Sequence, residues 1–209
     1  MLFLIYNTMK HLILILLFPL LSIGQQIDTT ITTPIYKAYI SKQLKQPVYV
    51  KYKLYKGGGT CKRPSQFTNP TTLDLLDPQY PKSGYDRGHL ANAEDFAYDC
   101  TAIEQTFRYY NVLPQTHNLN RGIWKQWEEK VRTISQTDSL LVFAGGIWET
   151  HTIKHGMRVP TKCWKVVYSL SKKQILHIVI FTNTQLSLYH HITLEDLQNR
   201  TGLKLDFSY

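Results

Sequence analysis

Cysteine is scarce in this chain, with three residues in 209, and no two of them form a CxxC pair, which removes zinc-ribbon and thioredoxin-type chemistry. Acidic residues are also short: 15 Asp and Glu stand against 24 Lys and Arg, for a formal net charge of +9. That excess suits a polyanionic partner, although charge alone does not say which polyanion. The chain has no internal repeat and no low-complexity block. Its 43% hydrophobic and 19% charged residues exclude a disordered or fibrous protein, and its length fits one large domain with a single buried core. The 14 Tyr and 4 Trp offer faces for stacking bases, but most aromatics in any domain pack in its core, so their number decides nothing.

The one long apolar run is at the start. Leu12 to Leu21 reads LILILLFPLL, preceded by Lys10 and His11 and followed by Ser22, Ile23 and Gly24. A membrane-spanning helix needs about 20 apolar residues. Counting back to Met1 lengthens the run, but Asn7, Lys10 and His11 interrupt it. The layout is that of a signal peptide, with an N-terminal anchor as the alternative and Met9 as a plausible start. The small residues Ser22 and Gly24 place the cut after Gly24, and no Cys follows it to carry a lipid. Cutting there removes one charged residue, Lys10, so +9 becomes +8 and the basic character stays with the working domain. The expected organisation is a signal peptide over 1–24, a polar, Thr-rich leader over 25–46 and the working domain over 47–209. It implies a secreted or periplasmic protein with no stable membrane association after cleavage. In an oxidising compartment, Cys61, Cys100 and Cys163 allow one disulfide and leave one thiol, and the sequence does not choose the pair.

Val48 to Tyr55 alternates, with Val48, Val50, Tyr52 and Leu54 on one side and Tyr49, Lys51, Lys53 and Tyr55 on the other, which predicts a strand with a basic, aromatic face. Gly57, Gly58 and Gly59 then make a turn; no Lys-Ser or Lys-Thr follows at P-loop spacing. Ser139 to Phe143, Lys162 to Leu170 and Ile175 to Phe181 are rich in Val, Ile and aromatics and predict further strands. ITLEDLQNRTGL predicts a short helix capped by Thr193 and stopped by Gly202.

Chemistry concentrates between Gly84 and Arg132, in GYDRGHLANAEDF and TFRYYNVLPQTHNLNRGIWKQWEEKVR. On a helix advancing about 100° per residue from Leu119, the apolar residues Ile123, Trp124, Trp127, Val131 and Ile134 fall within about 140°. Asn120 falls inside that stripe, near 100°. A polar amide there needs a partner, either a backbone group that it caps or a bound cation. Glu128 falls at the stripe's edge, near 180°, whereas Glu129, near 280°, faces water. Asn120 and Glu128 are separated by about 12 Å along the axis and about 80° around it, so both cannot ligate one ion directly at about 2.1 Å, and Glu128 would act through water.

The run YDRGHLANAEDF, with YYNVLPQ and HNLNRGIWKQWEEK after it, resembles the DNA/RNA non-specific endonuclease family, which includes secreted bacterial nucleases and mitochondrial endonuclease G. The resemblance continues through LVFAGGIW, RVPTKCWKVVY and LEDLQNRTGL and covers roughly Tyr52 to Phe207. It implies an α+β fold with a ββα-metal finger, a central, mostly antiparallel sheet and flanking helices. It implies that His89 is the general base, that Asn120 is the single direct protein ligand of Mg²⁺, for which Mn²⁺ can substitute, and that Glu128 holds metal-bound water. Arg87 matches the motif arginine that stabilises phosphate charge, Asn111 a supporting polar residue, Arg63 an upstream phosphate-binding arginine, and Lys165 a basic strand position with either a structural or a substrate role. The plainer alternatives are a structural His89, an Arg87 paired with Asp86 or Asp95, and an Asn111 that serves a turn.

The implied activity is metal-dependent hydrolysis of DNA and RNA with little sequence preference and 5′-phosphate products. A hard cation and a guanidinium suit the charge that develops on the phosphoryl and leaving 3′ oxygens. A neutral imidazole with a pKa of about 6.5 is a competent base near neutral pH. The rival is a secreted basic protein that binds nucleic acid without cutting it; an effector nuclease would share the chemistry. His151 and His155 are four apart, but Gly145, Gly146, Gly156 and Pro160 around them predict a loop rather than a second metal site, and His190 and His191 are expected at the surface or in packing.

Overall fold

The computed structural model describes residues 25–75, 80, 83–148 and 158–208. The expected signal segment and the His151 and His155 pair lie outside these. In chain order the elements are β1 (Thr29–Thr32), β2 (Tyr36–Ser41), β3 (Gln46–Leu54), β4 (Asp86–His89), α1 (Cys100–Thr106), β5 (Val112–Gln115), α2 (Lys125–Ser135), β6 (Leu140–Ile147), β7 (Lys162–Ser169), β8 (Gln174–Thr182), β9 (Tyr189–His191) and α3 (Leu194–Thr201). A seven-stranded antiparallel sheet runs β1-β2-β3-β6-β7-β8-β9, and β4 and β5 form a separate antiparallel ribbon. The fold is α+β, as expected.

Strand alternation gives the large sheet two covered faces. Val50 and Tyr52 of β3, Val142 and Ala144 of β6, Val167 of β7 and Phe181 of β8 pack beneath Trp124, Trp127 and Val131. Tyr49, Phe143, Trp164, Val166 and Ile180 pack on the other side beneath Leu197 of α3 and the following Leu203 and Leu205. The expected basic, aromatic face of β3 is therefore interior at Tyr49 and Lys51 and exposed at Lys53 and Tyr55. Tyr49 and Lys51 are each only 6% exposed, and Lys51 Nζ donates to Asp206 Oδ2 at 3.3 Å and to the Ser208 carbonyl at 2.5 Å. The C-terminal segment lies over that face.

Two other expectations are corrected. The Thr-rich stretch read as a leader forms β1 and β2, paired from Thr29↔Ile40 onward and joined to β3. The single helix expected from Leu119 is a wide π-type turn, Leu119–Trp124, running into α2, with non-helical dihedrals at Gly122 (φ −105°, ψ −110°). The wider turn changes the angular position of every residue before Trp124, so Asn120 is half-buried at a cleft instead of pointing into the core. α3 follows its sequence pattern: Thr193 Oγ1 accepts from the Asp196 amide at 3.0 Å, and Gly202 adopts φ 69°.

The disulfide joins Cys61 to Cys100 and leaves Cys163 as a buried thiol, its pKa pushed up to about 12 by burial. Among the described residues no helix is long and apolar enough to cross a membrane.

Candidate active site

The DRGH tetrapeptide is β4, and the NVLPQ segment pairs with it as β5, with His89 opposite Val112 and Asp86 opposite Gln115. A Cβ on Gly88 would lie 2.2 Å from Gln115 Oε1, so glycine there leaves room for the buried Gln115 side chain. The Trp124 indole donates to the His89 carbonyl at 3.2 Å and ties the ribbon to the start of α2. Ribbon and helix together form a ββα unit on the α2 face of the sheet. Beside it, Gly58 and Gly59 hold φ of 121° and 142°, and a Cβ on Gly59 would lie 2.1 Å from the Ala97 carbonyl, so this loop requires glycine.

These elements enclose a cleft of about 850 Å³ whose walls include Arg63, Arg87, His89, Asn120, Glu128 and Arg132. Five of the six site residues expected from sequence meet there. Asn111 does not. It is fully buried, its Oδ1 accepts from the Ala91 amide at 2.9 Å, and its Nδ2 donates to the Ala91 and Thr106 carbonyls, both at 2.9 Å. Its supporting role is that of a clamp on the backbone two residues beyond His89.

His89 is 6% exposed, with its ring 5.2 Å from that of Phe67 and 4.9 Å from that of Phe107. Burial, reinforced by the nearby Arg63 charge, pushes its pKa down to about 3. The imidazole is therefore neutral near pH 7, and its Nε2 has no hydrogen-bond partner among the described residues. A neutral ring has the free lone pair a proton acceptor needs, and the low pKa also makes that lone pair less basic than an ordinary histidine's.

Arg87 takes neither of the carboxylate partners considered from sequence. Its guanidinium carbon lies 5.4, 5.5 and 5.7 Å from the ring centres of Phe67, Tyr80 and Tyr109. Aromatic faces hold the guanidinium without neutralising it, and among the described residues no carboxylate pairs with it, which leaves it suited to an anion. Arg63 also lines the cleft, 5.6 Å from the Phe107 ring and 3.7 Å from Glu94 Oε1.

Asp86 orients Asn120. Arg121 donates to both its oxygens at 2.7 Å, His117 Nδ1 lies 2.9 Å from Oδ1, and Asn120 Nδ2 donates to Oδ2 at 3.1 Å. Burial raises the Asp86 pKa, but the bonds from Arg121 and Asn120 outweigh it and hold the group below its ordinary range. A carboxylate only accepts, so the amide must turn its nitrogen to Asp86 and keep Oδ1 for a cation. The backbone-capping alternative for this side chain is not what the structure shows.

Glu128 is 7% exposed at the cleft wall. Burial raises its pKa, against the pull of Lys165, a bond from Asn92 and the Arg132 charge. Arg132 Nη1 lies 3.3 Å from Oδ1 of the fully buried Asp95, to which Tyr52 also donates at 3.1 Å. Burial pushes Asp95 up to about 7, opposed by Arg132. Glu129 is exposed and pairs with Lys125 at 3.8 Å, as its helical position implied.

Sequence reasoning missed Arg132, Asp86 and Phe67 as parts of the cleft. Arg132 follows Glu128 by four residues and so shares its helix face, a signal that was available. Asp86 opens the DRGH strand, whereas Phe67 carries no signal in its surroundings. Lys165 is 1% exposed behind the cleft, which removes the substrate-contact reading. His190 and His191 are exposed.

A family model described as DNA/RNA non-specific endonuclease matches residues 21–208. A nuclease of Nostoc sp. is 32% identical over 119 residues, covering 54% of this chain and 43% of that protein. The mitochondrial nuclease EXOG of Mus musculus is 24% identical over 168 residues, 68% of this chain and 45% of that protein. Nuclease C1 of Cunninghamella echinulata var. echinulata is 30% identical over 185 residues, 74% of this chain and 73% of that protein. The chain thus spans less than half the length of the first two relatives. A chain in the crystal structure of the EndoG/EndoGI complex shares the fold, with a TM-score of 0.71 at 20% identity over 87% of this chain and 86% of that one.

Proposed function

Because this chain belongs to the DNA/RNA non-specific endonuclease family, we propose that it hydrolyses phosphodiester bonds of DNA and RNA with little sequence preference. The observation that carries this reading is one cleft holding a neutral imidazole whose Nε2 has no hydrogen-bond partner among the described residues, a guanidinium with no carboxylate partner among them, and two oxygen donors.

The family works with a divalent metal, and the donors here fit a hard one. Asn120 and Glu128 offer oxygen, and among the described residues no group of three or more His, Cys, Asp or Glu is placed to hold an ion. A closed zinc-type site is therefore absent from these residues, whereas Mg²⁺, which keeps most of its waters and needs few protein ligands, suits the pair; Mn²⁺ can substitute. Asn120 would ligate the ion directly and Glu128 would hold it through water. When bound, the ion draws charge from the phosphoryl group and the leaving 3′ oxygen.

The protein's own groups supply the rest. His89 Nε2 accepts a proton from the attacking water. Arg87 pairs with the phosphate at which the water attacks, and Arg63 at the rim takes a neighbouring phosphate. Cleavage on the 3′-oxygen side leaves a 5′-phosphate. The N-terminal apolar run supports export to an oxidising compartment, secreted or periplasmic, and the Cys61–Cys100 bond agrees with it.

The test is His89→Ala. Cleavage should fall by about a hundredfold or more while DNA affinity and fold persist. An equal loss of DNA binding would make His89 structural, and a folded wild-type protein that binds DNA without cutting it would favour the binding-only rival.

A further inference from the structure

Along β7, Cys163, Lys165 and Val167 occupy the face that packs against Trp124 and α2, and the first and last of these are apolar core residues. Lys165 stands between Ala144 and Val179 on the neighbouring strands and is among the largest fully buried side chains. Its Nζ lies 4.3 Å from the centre of the Trp124 ring. Trp124 precedes Glu128 by one helical turn, so the ammonium reaches the underside of the helix face that carries Glu128 into the cleft.

An ammonium in a sheet core is unfavourable unless an anion offsets it, and an unbranched apolar side chain such as methionine would pack there without that cost. The charges that act on Lys165 are Glu128 and Asp95. Asp95 already holds Arg132 at 3.3 Å and Tyr52 at 3.1 Å. That leaves Glu128 as the anion whose main opposing charge is Lys165. The side chain is too deep to touch a polynucleotide.

We propose that Lys165 is a positioning residue, a fixed cation built into the sheet beneath Trp124 and the α2 face, which keeps the Glu128 side chain aimed at the cleft. This rests on the nuclease reading of that cleft. It gives a reason for a lysine at a position where the packing alone would take an apolar side chain.

The experiment is a double-mutant cycle with Lys165→Met, Glu128→Gln and their combination, read two ways: steady-state cleavage of an oligonucleotide over a range of Mg²⁺ concentrations, and melting temperature of the metal-free protein in EDTA. Lys165→Met should lower kcat about tenfold or more and raise the Mg²⁺ requirement, with the oligonucleotide KM changed less than about twofold. In the Glu128→Gln background the same change should alter kcat less than about twofold, and in EDTA the melting losses should be strongly non-additive. Equal kcat losses in both backgrounds, or additive melting losses, would overturn the proposal. If Lys165→Met alone does not fold, the comparison of Glu128→Gln with the double variant still decides, because a further kcat loss in the double variant refutes the role. A wild-type protein that cuts nothing would instead remove the nuclease reading, and the melting cycle would still test the pairing of the two charges.

Discussion

Replacing His89 with glutamine should change how stability depends on pH, in a direction opposite to what losing a core contact would do. In the folded protein burial holds the His89 pKa at about 3, whereas in the unfolded chain it returns to about 6.5. Between these values the unfolded chain binds the proton and the folded one does not, so stability falls as pH drops from about 6.5 and the loss is complete below about 3. At about 1.36 kcal/mol per unit the whole window is worth about 5 kcal/mol, and about 2 kcal/mol of it is reached by pH 5. Wild type alone would not display this cleanly. Burial raises Asp95 to about 7, so the folded carboxyl keeps a proton that the unfolded one loses, and stability falls as pH rises through that range. The difference between wild type and His89→Gln cancels the Asp95 contribution. Urea midpoints measured from about pH 4.5 to 7.5 should show the variant gaining about 2 kcal/mol on wild type between pH 7.5 and 5. Parallel curves would show that burial does not hold His89 neutral.

Three shorter tests address the ion donors, the disulfide and the catalytic residue already named. Asn120→Ala should weaken Mg²⁺ binding and activity together, with extra Mg²⁺ recovering part of the loss, whereas Glu128→Gln should lower turnover with a smaller change in metal affinity; activity against Mg²⁺ concentration separates them, and the reverse order would misplace the ligand. Opening the Cys61–Cys100 bond, whose partners are 39 residues apart, should cost about 4 kcal/mol by the loop-entropy estimate. Urea midpoints of wild type and Cys61→Ser/Cys100→Ser measure it, and an unchanged midpoint would mean that the loop is ordered without the bond. For His89→Ala, circular dichroism alongside the rate assay confirms that the loss is chemical.

The strands β6, β7 and β8 and the helix α3 were legible because their signals are local: alternating Val, Ile and aromatic residues, and a Thr193 cap with Gly202 at the end. β1 and β2 were not, since a Thr-rich polar run gains its strand character from pairing with β3 rather than from its own hydrophobicity. Lys51 and Tyr49 looked solvent-facing because the segment that covers them, around Asp206, is about 155 residues away. The site was more legible, because the family resemblance carried by the DRGH to EEK segment pointed to His89, Arg87, Asn120 and Glu128, which share one cleft with the more loosely matched Arg63. The angular argument reached Glu128 correctly but misdirected Asn120, since a regular 100° advance has no place for the π-type turn and the Gly122 distortion. The charge on Lys165 was visible in sequence, and its burial was not, because Asp95 and Glu128 come to it from other parts of the chain.

If the cleft is the proposed nuclease site, the protein cuts both DNA and RNA and needs a divalent metal to do so. The most direct measurement is incubation of the purified protein with plasmid DNA and, separately, with RNA, in Mg²⁺ and in Mg²⁺ with excess EDTA, followed on gels. Both substrates should be degraded in Mg²⁺, and both should survive in EDTA. Undiminished cutting in EDTA, or no cutting of either substrate by folded protein in Mg²⁺, would contradict that reading.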